Sequence, residues 1–369
     1  MAGRIVLYGA TGYTGELTAR ALADRGAKPV LAGRTAAKVE RLATEIGGLE
    51  TATADVADPA SVRALVEQGD VLITTVGPFA RHGAPAVDAA IDAGATYLDS
   101  TGEPAFIRRV FEQWGPRAER AGVALLTAMG YDWVPGNLAG ALALTEAGDA
   151  ATKVRSAYFT TGPFGPSGGT RLSAAGALIE PGYAFRDGRI VTERGAKRVR
   201  EFDTAGRRRQ ALSAASSEHF TLPRSFPRLT EVDAYLGWFG SRSKAMSAGS
   251  AAMEAVFKLP GAKTGANALI ERTMKGSTGG PSAEQRAKAG SYVVGEALDA
   301  GDRVLASVHV EGADGYDFTA AMLAWAAIAA AETPLAVSGA VGPVEAYGLD
   351  RLEEGAADAG IARRQPVAA

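Results

Sequence analysis

The sequence predicts an α/β chain in which a doubly wound parallel sheet is followed by an α+β domain with a mostly antiparallel sheet. Three observations carry this. From Arg4 to about Ala128, short apolar or β-branched runs alternate with longer alanine-rich stretches of helical period, the pattern of a parallel sheet wrapped by helices. After Gly130 the rhythm changes to β segments joined by glycine-rich turns. Three spaced glycines, Gly9, Gly12 and Gly15, stand between the first apolar run and the first helical stretch.

In chain order, the apolar runs predict strands at 5–8, 29–32, 51–54, 71–75, 96–99 and 123–127. Between them the helical patterns fall at 15–25, 36–46, 59–68, 84–93 and 104–121. Beyond Gly130, β segments are expected at 153–161, 190–202, 210–213 and 304–311, with helices at 172–179, 246–257 and 317–331. A last helix at 344–359 is expected to pack back on the first domain. The domain limits that follow are 1–130, 131–335 and a carboxy-terminal 336–369. Residues 264–284, rich in Gly, Ser, Lys and Pro, read as a mobile loop or lid.

Composition narrows the function. The 369 residues are 47% hydrophobic, enough for two domains of ordinary size. With 39 basic and 41 acidic side chains the net charge is −2, so no global field draws the chain to nucleic acid or an anionic membrane. The absence of cysteine removes disulfides, iron–sulfur clusters, thiolate zinc sites and cysteine nucleophiles together. The apolar run before Gly9 is too short for a signal peptide, and the run 320–331 is too short to span a bilayer, so a cytoplasmic protein is expected.

The segment Gly9-Ala10-Thr11-Gly12-Tyr13-Thr14-Gly15 lies between a strand and a helix, the setting in which a glycine pattern signals a dinucleotide. The first glycine permits a tight turn, the second lets the backbone approach a diphosphate, and the third lets helix pack on strand. The phosphates rest on the helix N-terminus, and Thr11 and Thr14 add hydroxyls. This is the fingerprint of a Rossmann fold. Cofactor choice is read at the end of the second strand, where an acid holds an NAD ribose and an arginine accepts a 2′-phosphate. Here that strand ends Gly33-Arg34-Thr35, with Lys38 one turn on and no carboxylate, which selects NADP(H). Solvated basic residues at a helix start are the alternative reading of Arg34 and Lys38. Asp55, closing the third strand, is expected near the adenine, and Val76, Gly77 and Pro78, closing the fourth, near the nicotinamide.

Gly77-Pro78-Phe79, the stretch Tyr97-Leu98-Asp99-Ser100-Thr101-Gly102-Glu103-Pro104 and the stretch Gly130-Tyr131-Asp132-Trp133-Val134-Pro135-Gly136-Asn137 resemble the saccharopine dehydrogenase-like oxidoreductases, a group that includes the mycobacterial trans-acting enoyl reductases. The resemblance continues through Ser217-Glu218-His219-Phe220 and Gly315-Tyr316-Asp317 to Gly342-Pro343-Val344-Glu345. It implies a nucleotide-binding Rossmann domain, then an α+β domain, with the substrate cleft between them. Its members differ in chemistry, so it leaves the substrate open.

Hydride transfer asks the protein for positioning, a polarising group and sometimes a proton donor. None of the tyrosines is followed by lysine at the fourth place, which argues against the short-chain dehydrogenase route. His82, His219 and His309 show no metal-ligand spacing, so no metal is expected, and there is no Gly-x-Ser-x-Gly elbow. The candidates for catalysis are Tyr131 as proton donor and Asp132 as its orienting partner, at the crossing between domains; a structural turn with Asp132 capping the next helix is the alternative. Glu103, Glu218 and His219 are weaker substrate-binding candidates. Arg194, Lys197, Arg198, Arg200, Arg207, Arg208 and Arg209 form one dense basic region, suited to an acidic carrier protein or an anionic substrate, or else the solvated face of a hairpin. The expectation is an NADPH-dependent reductase of a polarised C=C or C=N bond in a free or carrier-borne organic substrate. A non-catalytic NADP(H) sensor and an amino-acid or oxo-acid dehydrogenase are the alternatives. Oligomerisation is left open.

Overall fold

The computed structural model describes residues 3–162, 165, 167–168, 181–259, 262, 264 and 279–364. The helix expected at 172–179 and most of the loop expected at 264–284 lie outside the described residues.

The first sheet is built from β1 (Ile5–Tyr8), β2 (Val30–Gly33), β3 (Thr51–Thr53), β4 (Val71–Thr74), β5 (Thr96–Asp99) and β6 (Ala124–Leu126). The second comprises β7 (Lys153–Thr161), β8 (Gly182–Arg186), β9 (Arg189–Glu193), β10 (Val199–Asp203), β11 (Arg208–Ala214), β12 (Glu231–Leu236), β13 (Gly290–Leu298) and β14 (Val304–Gly312). The short β15 (Gly339–Ala340) and β16 (Ile361–Arg363) return to the two sheets in turn. In space the first sheet runs β15-β6-β5-β4-β1-β2-β3 with every pair parallel. This is the doubly wound order, with its switch point between β1 and β4, where ligands bind beyond the strand ends. The second runs β10-β11-β12-β7-β13-β14-β16, with β8 and β9 off the path, and is antiparallel except where β12 pairs with β7.

Two long helices bury most of their side chains. Val134–Ala147 is buried from Val134 through Leu144 and lies on β13, where Gly295 leaves no room for a Cβ beside the Ala139 backbone. Gly315–Glu332 packs its alanine-rich surface against the helix α1 (Tyr13–Asp24), so this segment leans on the nucleotide half. A helix that is apolar all round belongs inside.

Several elements differ from expectation. The helix Val134–Ala147 shows no amphipathic period because no face of it meets water before Thr145, and β13 shows no alternation because it is covered on both sides. The stretch 190–202 is two strands, parted by a turn in which Ala196 takes φ +56°. The helix expected over 104–121 contains a π-turn at Val110–Trp114, where Pro116 has no N–H to give the carbonyl four residues back. Gly348, at φ +78°, divides the last helix into Pro343–Tyr347 and Leu349–Asp358.

Candidate active site at the switch point

The glycine loop leaves β1 at the switch point. Gly9 sits at φ +91°, and a Cβ there would lie 2.8 Å from Thr75 Oγ1 and 2.9 Å from Val76. A Cβ on Gly15 would overlap the Gly9 carbonyl, whereas one on Gly12 would lie 3.3 Å from it. The Gly12 amide donates to the Gly9 carbonyl at 3.0 Å, and Thr75 Oγ1 donates to the same oxygen at 3.1 Å. The loop therefore hugs its own helix. Tyr13, Thr14 and Gly15 form the first turn of α1, where amide groups have no partner inside the helix and point outward.

The amides of Gly9 and Ala10 both donate to Ala32 O, which holds the end of β2 against the loop, with Thr11 beside Gly33. Arg34 and Lys38, just beyond, are exposed, and neither side chain has a carboxylate partner among the described residues. Asp55 is half-buried, its carboxylate accepting from Ala57 N. Tyr8 is pushed up to about 12, first by burial and then by Asp55, with Arg34 opposing, so both charges border the same edge. Val76, Gly77 and Pro78 are partly exposed at the end of β4, next to Gly9. A backbone cradle without Cβ atoms, an outward helix N-terminus and two cations without carboxylates beyond β2 fit a dinucleotide carrying a 2′-phosphate.

Glu103 lies beneath the turn that follows Pro78. Its carboxylate oxygens accept from the backbone amides of Phe79 and Ala80, each at 2.8 Å, and it is only 6% exposed. It holds the turn after Pro78 in place, as a carboxylate at a helix start does. Asp99, quoted in the sequence only as part of a motif, has a parallel role. It is fully buried and accepts from Thr101 N and Ala128 N at 2.9 Å, tying β5 to the crossing between domains. Burial pushes it up to about 6.

The crossing carries Tyr131 and Asp132. Tyr131 is buried, its amide donates to Thr319 Oγ1 at 3.0 Å, and its ring lies against Gly315. Its hydroxyl donates to Phe159 O at 3.3 Å, and desolvation pushes it above the usual tyrosine range. The phenol thus stays protonated, with its proton directed at a main-chain carbonyl. Asp132 lies beside Gly102, where a Cβ would collide with its carboxylate, and burial pushes it up to about 6. It does not cap the next helix, whose N-cap is Trp133 without a side-chain hydrogen bond. Of the two, Asp132 is the group whose proton can move near neutral pH.

Glu218 and His219 are held apart from Tyr131 by Tyr158. The Tyr158 hydroxyl donates to Glu218 at 2.7 Å and its ring meets Tyr131 edge-on at 5.7 Å. Glu218 also accepts from Ser156 at 3.0 Å, and burial pushes it up to about 7. His219 is buried, its Nδ1 is 2.9 Å from Ser216 Oγ, and desolvation lowers it to about 4. It lines a groove of about 420 Å³ with Phe111, Phe220 and Pro223, to which no residue of the glycine loop contributes. Both residues brace the second domain through these bonds.

Residues 279–288 close on the glycine loop from the second domain, a contact that no local sequence signal announces. Tyr13 Oη donates to Pro281 O at 2.5 Å and accepts from Arg286 Nη1 at 2.9 Å, and Arg286 Nε bonds Asp317 at 2.7 Å. Tyr316 meets the Tyr13 ring edge-on at 5.1 Å. No helix among the described residues is long and apolar enough to cross a membrane.

Residues 5–126 match the family model of the saccharopine dehydrogenase NADP binding domain. A Mycobacterium tuberculosis protein provisionally named a trans-acting enoyl reductase is 41% identical over 142 residues, covering 36% of this chain and 33% of its own. The trans-acting enoyl reductase of Mycobacterium ulcerans is 37% identical over 140 residues, 36% of this chain and 34% of its own. These matches span about a third of the length of the curated relatives. Saccharopine dehydrogenase (L-Glu forming) from Saccharomyces cerevisiae has a similar structure, with a TM-score of 0.59 at 14% identity over 98% of this chain and 99% of its own, a likeness of fold. Taken with the glycine cradle and Arg34, the similarity of residues 5–126 to the saccharopine dehydrogenase NADP binding domain makes NADP(H) the nucleotide of this site.

Proposed function

We propose that this chain is an NADPH-dependent reductase of a polarised double bond, in the first instance the C=C of an enoyl thioester. The observation that carries the reading is Asp132, a carboxyl held near 6 by burial at the crossing between the NADP-binding domain and the second sheet. The names of the mycobacterial relatives support the enoyl assignment, and the term trans-acting, used of those proteins, is a reason to include carrier-borne thioesters among the substrates tested.

In this reading the first-turn amides of α1, with Thr11 and Thr14, hold the diphosphate, and Arg34 and Lys38 take the 2′-phosphate. Asp55 borders the adenine side, and Val76, Gly77 and Pro78 form the floor on the nicotinamide side, held by Glu103. Bound NADPH supplies a hydride. Asp132 supplies the proton that the reduced carbon or nitrogen needs, and Tyr131 fixes the crossing by its bond to Phe159 O.

The test is the loss of reduced-nicotinamide absorbance against a panel of enoyl thioesters, preformed imines, and 2-oxo acids mixed with amines. Oxidation with the enoyl thioesters supports the proposal. Oxidation only with oxo acids and amines replaces it with an amino-acid-type dehydrogenase. Tight NADPH binding with no turnover on any member replaces it with a nucleotide sensor.

A further inference from the structure

The groove that His219 lines is walled by both halves of the molecule. Phe111 and Glu112 come to it from the π-turn of the first half, and Phe185, Ile190, Phe220 and Leu229 from the second. Phe111 and Phe220 stack with their centroids 4.8 Å apart, which joins the two walls. A volume of about 420 Å³, with an apolar and aromatic lining and few polar groups, is that of a small-molecule site. The two charges at the rim are already paired, Glu112 with Arg108 and Arg224 with Glu345.

The bonds around Ser216 decide which ring nitrogen of His219 carries the proton. Ser216 is fully buried, and its N–H has one partner among the described residues, His219 Nδ1 at 3.3 Å. The Ser216 carbonyl, 3.2 Å from Nδ1, already accepts from the Tyr183 hydroxyl at 3.1 Å. With Nδ1 as acceptor each of these groups is satisfied. With Nδ1 as donor, the Ser216 N–H would face another N–H and stay buried without a partner. The proton therefore sits on Nε2, on the ring edge turned away from Ser216. Among the described residues Nε2 has no hydrogen-bond partner, and it keeps access to the groove although His219 is only 2% exposed. The ring is held edge-on to Tyr183 at 5.6 Å, and burial, which lowers it to about 4, keeps it neutral.

An anion entering this groove would lose hydration and gain no ion pair, because the imidazole is neutral and the rim charges are spent. An uncharged oxygen acceptor on an apolar body completes the Nε2–H bond and covers the aromatic walls. We propose that the groove is a second ligand site, which takes an uncharged, largely apolar molecule through one carbonyl oxygen on His219 Nε2–H. Neither the glycine loop nor Tyr131 or Asp132 lines it, so the site stands apart from the reductase reading.

Proton–nitrogen correlation spectra of the full chain labelled with ¹⁵N-histidine test it, with acetophenone, its hydrocarbon counterpart ethylbenzene and the anion benzoate as probes. The His219 signals are assigned by elimination, using His82→Gln and His309→Gln. In the free protein His219 is expected to carry its proton on Nε2. The Nε2 signal is expected to move with acetophenone at millimolar concentration, and the ketone to bind about threefold to tenfold more tightly than ethylbenzene, the scale of one neutral hydrogen bond. Benzoate is expected to bind less tightly than the ketone. Ile190→Trp, which fills the groove from β9 and leaves the bonds to Ser216 in place, is expected to abolish the shift with NADP⁺ affinity unchanged. A proton on Nδ1, equal binding of acetophenone and ethylbenzene, tighter binding of benzoate, or no ketone binding at millimolar concentration overturns the proposal. So does a ketone shift that persists in a folded Ile190→Trp; the wild-type spectra decide the matter if that variant does not fold.

Discussion

In the NADP-binding half the candidate site is made of main chain: glycines without Cβ atoms, the first-turn amides of α1, and the peptide groups around Pro78. At the crossing it is made of side chains, Asp132 and Tyr131, both carried on one loop. The first kind of site tolerates almost any neighbouring side chain and no added Cβ. The second tolerates backbone adjustment and no change of functional group. Binding of the nucleotide and choice of chemistry are therefore encoded separately, and substitutions should separate them.

The largest expected effect is at Gly15. A side chain there meets the Gly9 carbonyl, which is main chain and cannot swing aside. Gly15→Val is expected to lower NADPH affinity by more than about 100-fold in a fluorescence titration, or to prevent folding. Gly12→Ala, whose Cβ would be 3.3 Å from the same oxygen, is expected to lose no more than about tenfold. If Gly15→Val binds NADPH like wild type, the main-chain account of this half is wrong.

Next comes Asp132→Asn, which should leave NADPH binding intact while kcat falls by about 100-fold, as loss of an acid catalyst does. Wild-type kcat/KM should fall as pH rises through about 6, where Asp132 gives up its proton, and the variant should lose that limb. The stability sign is opposite to that of a salt-bridged carboxylate. Because burial raises the folded value above the unfolded one, the native state binds the extra proton between an ordinary carboxylate value and about 6, and stability falls as pH rises across that window. Asp132→Asn should therefore raise Tm at pH 8 and not at pH 4. A variant that loses NADPH affinity as well would break the division between the halves.

Arg34→Ala should act on one cofactor only. Without a carboxylate competing for it, the guanidinium is available to the 2′-phosphate, and its loss should weaken NADPH by about 10- to 30-fold. NADH affinity should change by less than about twofold, since no 2′-phosphate is there to lose a charge-assisted bond. Equal losses would mean that Arg34 supports the loop and does not read the phosphate.

The same division explains what the sequence made legible. The spacing of Gly9, Gly12 and Gly15 encodes backbone geometry directly, and the alternation of apolar runs encodes the parallel sheet, so the switch point and the NADP assignment were readable. Glu103 and the Glu218–His219 pair could not be placed, because a carboxylate that caps a turn and one that faces a ligand look alike in one dimension. Arg209 was read only as one of seven basic residues, since the partners that set it apart, Phe159 and Thr160, are some fifty residues away. β13 was missed, and the helix Val134–Ala147 entered only as the one that Asp132 might cap, because burial erases the periodicity by which an element is found.

The smallest expected effect tests the comparison at its seam. Tyr13 belongs to the glycine loop, yet its hydroxyl is held by Pro281 O and Arg286 from the second half. Tyr13→Phe keeps the ring against Tyr316 and removes only those two hydrogen bonds, worth about 1 kcal/mol each. If the nucleotide half is self-sufficient, NADPH affinity should stay within about threefold, less than one such bond would give in full. Amide hydrogen exchange at 281–288, where the second half loses its hold on the loop, should rise in the free protein. A loss of affinity near tenfold would show instead that the second half closes the nucleotide site through Tyr13, and that cofactor binding and substrate-side structure are coupled at this one hydroxyl.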